Sequence, residues 1–284
     1  MSALPARRPV TDRRVLAVRG ERRLELPDEL VTEEPMEIRV TGPGQPAETV
    51  AVTMRTPGND FELAVGFLLS EGVIGHGAWV RAVRYCDGAD DAACADDLLN
   101  TVTVHVDRPV DVGLRRIGTV NASCGVCGSA SLDGLLARCR PLGPARPFPG
   151  GELMQLPERL RGAQRVFGRT GGLHGAGLFS GDGASLAVRE DIGRHNAVDK
   201  LVGWAALGRR ERLSDLALVV SGRVSFEIVQ KAAVAGVPVL VAVSAASSLA
   251  AETAERLGIC LVGFARGASA NVYAHPERIA WGEG

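Results

Sequence analysis

The last third of the chain alternates short apolar segments with helical patterns, and this alternation constrains the fold more than any other feature. Three segments have the length and composition of buried strands: Leu216–Ser221, Val239–Val243 and Ile259–Phe264. Helical patterns lie between them over Phe226–Ala235 and Leu249–Leu257, and a glycine follows each pattern. Strands and helices that alternate at this spacing predict a parallel or mixed α/β sheet covered by helices.

The first half has a different pattern, in which short strands surround one helix. The expected strands are a pair over 14–26 that turns at residues 20–21, followed by 36–41, 49–54, 79–85 and 101–106. A helical pattern begins after Asn59, which is placed to cap it, and ends at Gly72. These elements predict a compact β-rich α+β half.

Together the patterns predict two domains. We expect residues 1–12 to be a disordered lead. Residues 13–140 are expected to form the α+β domain, which ends with a thiol-containing loop and a helix over 129–139. Residues 141–153 are rich in proline and glycine and are the expected linker. Residues 154–284 are expected to form the α/β domain, and a helix over 154–169 is expected to lead into it.

Charge and hydropathy exclude several classes of function. The net charge of −1 gives no basic field for nucleic acid, so no nucleic-acid partner is expected. The longest apolar run, 237–246, is too short to cross a bilayer. The N-terminal arginines are not followed by the apolar segment that a secretory signal needs. We therefore expect a cytoplasmic protein without a membrane partner, in a compartment where thiols stay reduced.

Two of the six cysteines lie close together in a segment that favours reactive thiols. Cys124 and Cys127 are separated by two residues, and a glycine follows each, so the backbone can turn tightly there. The helical pattern after them places both thiols just before a helix N-terminus, where the helix dipole favours the thiolate. The thiolate is the form that acts as a nucleophile or binds a metal.

Four interpretations of this pair differ in the chemistry that they need. A zinc site needs about four ligands and one Cys-x-x-Cys motif supplies two, so we expect no bound metal. A thioredoxin-like pair would follow an early strand of a βαβ unit, whereas this pair follows an α+β half. A purely structural turn does not account for exposed thiols between glycines. In sulfur transfer, one thiolate holds a persulfide sulfur and the other resolves or relays it.

Polar residues follow the predicted strands of the second half, at the edge where α/β sheets bind ligands. Ser221 ends the first strand, Arg223 lies just after it, and Arg266 follows the last. His174 and His195 lie in polar turns, where they either line a site or hold the turn. Serines, arginines and helix N-termini at one edge favour a phosphate-bearing, nucleotide-like ligand. Neither a Walker pattern nor a Rossmann glycine pattern occurs, so a P-loop or dinucleotide fold is not expected.

Several longer motifs run in order from about residue 30 to the C-terminus. They are Met54–Asp60 (MRTPGND), Glu62–Leu68 (ELAVGFL), Ser70–Gly72, Cys124–Gly128 (CGVCG), Thr170–His174 (TGGLH), Arg189–Lys200 (REDIGRHNAVDK), Ser221–Arg223, Ser225–Glu227 and Gly263–Arg266 (GFAR). On these motifs the chain resembles the formate dehydrogenase accessory sulfurtransferases, the FdhD (also NarQ) family. It departs from that family at Ser244–Ser247, which reads Ser-Ala-Ala-Ser where members usually have Ser-Ala-Pro-Thr.

The resemblance implies a function. Such proteins take sulfur from a cysteine desulfurase and pass it to the molybdenum cofactor in its bis-molybdopterin guanine dinucleotide form, which then enters formate dehydrogenase. Cys124 would carry the persulfide, and Cys127 would be an auxiliary thiol. The loop that would meet the guanine dinucleotide consists of Phe264, Ala265, Arg266, Gly267, Ala268 and Ser269. We expect the same ligand near Ser221, Arg223, His174 and His195.

The resemblance also implies a fold. The C-terminal domain of family members resembles a cytidine deaminase-like α/β/α domain, and a smaller β-rich α+β domain precedes it. This arrangement agrees with the two halves described above. We further expect a homodimer, since isologous dimers are common. Two alternatives stay open: a cofactor-binding chaperone without sulfur chemistry, and a zinc or redox thiol protein.

Overall fold

The computed structural model describes residues 7–86, 99–112, 118–120, 139–208 and 213–282. Cys124 and Cys127 lie outside these ranges, as does the helix expected over 129–139, apart from Cys139. Among the described residues, no helix is both long and apolar enough to cross a membrane.

Strands and helices alternate along the chain as follows. The strands are β1 (Val10–Arg19), β2 (Arg22–Val31), β3 (Glu34–Thr41), β4 (Glu48–Arg55), β5 (Val80–Tyr85), β6 (Thr101–Val106), β7 (Gly118–Val120), β8 (Phe148–Pro149), β9 (His174–Phe179), β10 (Ser185–Asp191), β11 (Ala217–Val220), β12 (Val239–Ala242), β13 (Cys260–Arg266), β14 (Ser269–Ala274) and β15 (Ile279–Ala280). The α-helices are α1 (Asp60–Ser70), α2 (Gly150–Leu153), α3 (Leu156–Ala163), α4 (Arg165–Thr170), α5 (Arg194–Leu207), α6 (Phe226–Ala235) and α7 (Ser248–Leu257).

The first domain is a five-stranded sheet covered by α1. Its strand order is β5-β6-β3-β4-β7, with β3 parallel to β6 and antiparallel to β4. Met36, Ile38 and Val40 alternate along β3 and are buried in one core with the apolar side of α1. The predicted strands of this domain and its helix are confirmed. Asn59 precedes α1 as expected, but its side chain makes no capping hydrogen bond.

Strands β1 and β2 form a separate antiparallel hairpin. It turns at Gly20, as the sequence predicts, and Gly20 takes the positive φ of 62° that the turn requires. Because β1 begins at Val10, residues 10–12, which were expected in a disordered lead, are part of a strand. An ion pair between Glu29 and Arg169 joins the hairpin to the second domain.

The second domain is built on a six-stranded mixed sheet of order β10-β9-β11-β12-β13-β14. Its central strands β11, β12 and β13 are parallel, and the predicted mixed α/β class is confirmed. The outer strands β9, β10 and β14 are antiparallel additions that the sequence analysis did not predict. Gly175 and Gly177 lie inside β9 and weaken the strand pattern of that segment. The likeness to cytidine deaminase stays a prediction.

Helices cover both faces of this sheet. In β11, Leu218 and Val220 belong to the core that contains α5, α6 and α7, whereas Ala217 and Val219 belong to the core that contains α2 and α3. Both faces of the central strands are therefore buried, which is why these strands read as continuous apolar runs. The domain has the three layers of an α/β fold.

The segments before this sheet contain more structure than the sequence indicated. Within the expected linker 141–153, β8 pairs in parallel with β15 and leads into α2. The single helix expected over 154–169 is divided into α3 and α4 at Gln164, whose ψ of 86° is not helical. This break places Gln164 in the wall of the pocket described below.

The two domains contact each other through α1 and α5, which approach closely at two glycines. A Cβ added to Gly66 would lie 1.8 Å from the carbonyl oxygen of Asp199. A Cβ added to Gly203 would lie 1.8 Å from the carbonyl oxygen of Glu62. Backbone atoms cannot yield as a flexible side chain can, so any larger residue would separate the helices.

A Gly203→Ala variant is therefore expected to lose about 3 kcal/mol of unfolding free energy, the upper part of the range for overpacking a tight contact. Urea denaturation of the full chain measures this loss. Gly162→Ala is the matched control, because Gly162 lies in α3 with nothing within 4 Å of its added Cβ. That variant should gain up to about 1 kcal/mol from helix propensity. Equal stability of the two variants would contradict the close helix contact.

Candidate functional site

A pocket of about 620 Å³ opens at one edge of the six-stranded sheet. The parallel strands β11, β12 and β13 all end there, and the antiparallel strand β9 begins there. Ser221 follows β11, Ala265 and Arg266 end β13, and His174 begins β9. All four of these predicted residues line the pocket. The topology therefore brings them together at the sheet edge where α/β folds bind ligands.

The opposite wall of the pocket comes from α3 and α4. Its polar and aromatic members are Glu158, Arg161, Gln164 and Phe167. The sequence pattern alone does not indicate that these residues belong to a site. Their side chains lie in what the sequence predicted as one helix over 154–169, and nothing in that pattern distinguishes a ligand-facing polar residue from a solvent-facing one.

His174 is held in a crowded, positively charged corner of the pocket. A Cβ added to Gly222 would lie 3.1 Å from its Nδ1 atom, so the turn after β11 packs directly against the imidazole. Burial lowers the pKa of His174 below its ordinary value of 6.5, and the charges of Arg194 and Arg223 lower it further. His174 is thus a neutral imidazole at pH 7. Arg223, which was predicted as a ligand residue, is exposed next to this corner.

Because the pKa of His174 is lowered on folding, the unfolded chain binds a proton more readily than the folded chain. The stability that the neutral imidazole contributes is present above pH 6.5 and is lost as the pH falls below that value. We expect a His174→Gln variant to lose less unfolding free energy than the wild type when the pH is lowered from about 7.5 to about 5.5. Urea denaturation at both pH values measures the difference. Equal losses would show that folding does not lower the pKa of His174.

His195 is not among the residues that line the pocket. Its Nε2 atom lies 3.3 Å from Ser225 Oγ, with which it shares a hydrogen bond, and 3.8 Å from a carboxylate oxygen of Glu227. These contacts join the start of α5 to the start of α6. Ser225, which directly precedes α6, uses its hydroxyl for this contact and makes no capping bond. These contacts hold the turn, and the expectation that His195 also contacts a ligand stays a prediction.

The segment 264–269, predicted as a loop, is a tight turn between two strands. β13 continues to Arg266 and β14 begins at Ser269, so Gly267 and Ala268 form the turn. Phe264 has a positive φ of 53° and its ring is exposed, whereas Ala265 is buried. Of the six predicted residues, Ala265 and Arg266 line the pocket; the others belong to the exposed turn beside it or, for Phe264, to the outer side of β13.

The longest motif of the chain, REDIGRHNAVDK, forms a buried connection between the domains. Asp191 is fully buried, and its carboxylate lies 2.7 Å from Lys200 Nζ. The same carboxylate accepts hydrogen bonds from the backbone amides of Thr56 and Gly193 at 3.1 and 2.9 Å, and from the side chain of Asn196 at 3.0 Å. Since Thr56 belongs to the first domain, this network fixes the domains relative to each other and leads the chain into α5.

The predicted thiols, Cys124 and Cys127, fall outside the described residues. Among the cysteines that the structure describes, Cys260 is fully buried in β13, and burial raises the pKa of its thiol to about 12. Cys260 is therefore an uncharged, unreactive thiol. Within the described ranges, no group of three or more His, Cys, Asp or Glu side chains is placed to hold a metal ion.

A second groove of about 1150 Å³ runs between the two domains. Its lining comes mainly from two connecting segments, within 72–78 and 139–143, and the ends of α1, α5 and α6 add small and apolar residues. His76 and Arg81 lie on the side of the first domain. Cys139, the first described residue after the thiol segment, is part of its wall. The thiol segment is thus connected in sequence to the interdomain groove.

Comparison with known proteins identifies relatives along nearly the whole chain. The sequence model of the FdhD/NarQ family matches residues 31–280. A Mycobacterium tuberculosis protein named sulfur carrier protein FdhD is 49% identical over 273 residues, which cover 94% of this chain and 97% of that protein. A Streptomyces coelicolor protein of the same name is 50% identical over 278 residues, covering 95% and 96%.

A solved structure has the same fold. The crystal structure of a protein described as a formate dehydrogenase accessory protein from Desulfotalea psychrophila matches with a TM-score of 0.72, covering 96% of this chain and 100% of that chain. The two sequences are 23% identical, so this match bears on the fold alone.

Proposed function

This chain belongs to the FdhD/NarQ family, and we propose that it carries sulfur for the maturation of formate dehydrogenase. In this proposal a cysteine desulfurase supplies the sulfur, and Cys124 holds it as a persulfide. The acceptor is the molybdenum cofactor in its bis-molybdopterin guanine dinucleotide form, which is then delivered to formate dehydrogenase. The chemistry needs reduced thiols, which fits the cytoplasm.

The observation that carries the proposal is the pocket that His174, Ser221, Ala265 and Arg266 share. A guanine dinucleotide is a phosphate-bearing ligand, and the edge of the sheet offers cationic side chains and the N-termini of α6 and α7. The buried Nε of Arg194, beside His174, has no hydrogen-bond partner among the described residues. A phosphate oxygen would satisfy this donor, so the residues present fit the ligand.

Sulfur uptake in this proposal is a thiol exchange. The Cys124 thiolate attacks the terminal sulfur of the desulfurase persulfide, a new sulfur–sulfur bond forms at Cys124, and the desulfurase cysteine leaves as a thiolate. Cys127 then attacks the Cys124 sulfur, so the terminal sulfur leaves as hydrosulfide and a Cys124–Cys127 disulfide remains. A dithiol reductant returns the pair to the reduced state. When bound, the cofactor supplies the molybdenum centre that accepts the sulfur.

The proposed acceptor carries two guanine nucleotides, which suggests how two chains would share it. A homodimer with two-fold symmetry presents a pair of identical pockets, one for each nucleotide. We therefore include a second copy of this chain among the proposed partners.

Mass spectrometry tests the sulfur-carrying role directly. After the wild-type chain is incubated with a cysteine desulfurase and cysteine, the proteolytic peptide that contains Cys124 should gain one sulfur atom. Dithiothreitol should remove it, because a persulfide is reducible by a thiol and a sulfinic acid is not. If that peptide gains no sulfur while the desulfurase turns over, the chain is not a sulfur carrier.

A further inference from the structure

The β1–β2 hairpin carries the largest group of exposed apolar side chains in the described part of the chain. Nine large apolar side chains are exposed there, and four of them lie on this hairpin: Leu16, Val18, Leu24 and Leu30. Leu16 and Val18 are 60% and 65% exposed. Single exposed apolar residues are normal on a protein surface, but a group of them on one short element indicates an interaction site.

The hairpin is fixed to the second domain at its base. Arg169 of α4 donates a hydrogen bond to the Glu29 carboxylate at 2.7 Å, and a Cβ added to Gly172 would lie 2.7 Å from Val31 Cγ2. The hairpin tip, residues 13–26, is mostly exposed and contains no buried residue. A two-stranded hairpin is at best marginally stable by itself, so contact with another surface would stabilise the tip.

The tip exposes apolar side chains on both of its faces. Leu16 and Val18 are two residues apart and therefore lie on one face of β1. Leu24 is opposite Ala17 in the strand register, so it lies on the other face. An element that lies on a membrane has one apolar face, whereas a cleft in a protein can contact both. The arrangement therefore favours a protein partner.

The charge of the tip indicates the chemistry of that partner. Five arginines and two glutamates give the tip a net charge of +3, whereas the whole chain has −1, so the rest of the chain carries −4. All seven of these charged residues are exposed. Two tips of equal charge repel each other, so contact with the tip of a second copy is disfavoured. The surface that fits is an apolar cleft with an acidic rim.

The position of the hairpin indicates which partner it would hold. Gly172, against which Val31 packs, also lines the sheet-edge pocket, as does Phe167 of α4. A protein held by the hairpin is therefore held beside that pocket. A sulfur donor must instead reach Cys124, which comes four residues after β7, the edge strand of the other sheet. The position favours a partner that receives the ligand of the pocket.

From these observations we propose that the hairpin tip docks the enzyme that receives the cofactor, by entering an apolar cleft with an acidic rim on that enzyme. The inference rests on the proposed function, because it takes formate dehydrogenase as the recipient. The tip precedes residue 31, where the family match begins, so this contact is an addition to the part of the chain that carries the family assignment.

Biolayer interferometry of the full chain with cofactor-free formate dehydrogenase from the same organism tests the docking. We expect Leu16→Ser/Val18→Ser to weaken binding by about tenfold or more, as when two central contacts of an interface are truncated. Arg22→Gln/Arg23→Gln should weaken binding and reduce its dependence on salt. Leu207→Ser is the matched control, because it changes an exposed leucine at the end of α5, and it should bind like the wild type.

Sulfur uptake from the desulfurase, measured in the same variants by mass spectrometry, separates the outcomes. We expect the tip variants to take up sulfur like the wild type. If they also bind the dehydrogenase like the wild type, the docking inference is wrong and the proposed function stands. If they lose sulfur uptake instead, the tip docks the donor and the inference is overturned. If the wild type neither takes up sulfur nor binds the dehydrogenase, the proposed function fails as well.

Two other occupants of the tip are distinguished in the same way. Loss of binding to phosphatidylserine vesicles, with dehydrogenase binding kept, would identify a lipid surface and overturn the inference. Dissociation of a wild-type dimer by the tip substitutions, measured by analytical ultracentrifugation, would assign the tip to contact with a second copy and overturn it as well.

Discussion

A Cys124→Ala variant is expected to take up no sulfur from a cysteine desulfurase supplied with cysteine. The first transfer step needs a thiolate that attacks the terminal sulfur of the donor persulfide, and alanine offers no nucleophile. The effect is a loss of function rather than a reduction, because in the proposed exchange sulfur enters the chain at Cys124 alone. Intact-protein mass spectrometry after incubation measures it: the wild type gains one sulfur atom and the variant gains none.

Cys260→Ala is the matched control for this variant. Both changes remove one thiol, but Cys260 is buried in the sheet, and burial raises the pKa of its thiol to about 12, so it supplies almost no thiolate at neutral pH. The control variant should load like the wild type. Sulfur uptake by Cys124→Ala at the wild-type rate would assign the carrier role to another thiol.

Cys127→Ala should load but release its sulfur slowly, since Cys127 resolves the persulfide in the proposed exchange.

The central strands of the second domain were predictable, because burial on both faces of the sheet requires an apolar residue at nearly every position of these strands. The β11, β12 and β13 strands read as continuous apolar runs, and α6 was predicted over its full length, Phe226–Ala235. The outer strands were not predictable by the same signal. β9 contains two glycines, and β10 ends in the polar residues Arg189, Glu190 and Asp191, whose partners are distant in sequence. Their strand conformation depends on pairing with neighbours, which a local pattern does not report.

The candidate site likewise contains some residues that the sequence indicates and others that it does not. Arg266 and Ser221 were predictable because ligand-binding residues of α/β sheets follow the strands, and strand ends can be read from the sequence. Gln164 could not be found, because its importance comes from a helix break and from Gly175, which is eleven positions away in the sequence and packs against its amide. His195 was predicted as a ligand residue, but its hydrogen bond to Ser225 depends on how α5 and α6 meet.

The motifs that carry the family resemblance are mostly structural in the described part of the chain. Asp191 and Lys200 lie in one motif, and they bind Thr56 of another, across the junction of the domains. Removing one partner of such a buried pair leaves an uncompensated charge, so single substitutions there are costly. The length of these motifs therefore reflects the packing of the domain junction as much as the chemistry of the candidate site. The interdomain groove and the sheet-edge pocket keep their relative positions only while this junction holds.

An Asp199→Ala variant is expected to lose about 3–5 kcal/mol of unfolding free energy, because it leaves a buried lysine without its main counter-charge. Both carboxylate oxygens of Asp199 lie 2.8 Å from Lys231 Nζ, and Ser70 donates a hydrogen bond to the same carboxylate at 2.7 Å. After the change, the nearest remaining partner of Lys231 is Glu71, at 3.7 Å, which offsets a small part of the loss. Urea denaturation of the full chain measures the change.

Two further variants separate the effect of burial from the loss of any ion pair. Asp107→Ala removes the acidic partner of Arg81 and Arg108, whose side chains are 62% and 47% exposed, so it should cost at most about 1 kcal/mol. The double variant Asp199→Leu/Lys231→Met removes both buried charges together, and it should be more stable than Asp199→Ala because no uncompensated charge remains. If Asp199→Ala cost no more than Asp107→Ala, the pair would be solvated and could not hold α1, α5 and α6 together. The expected order of stability thus depends on one physical quantity, the cost of leaving a single charge inside the junction between the domains.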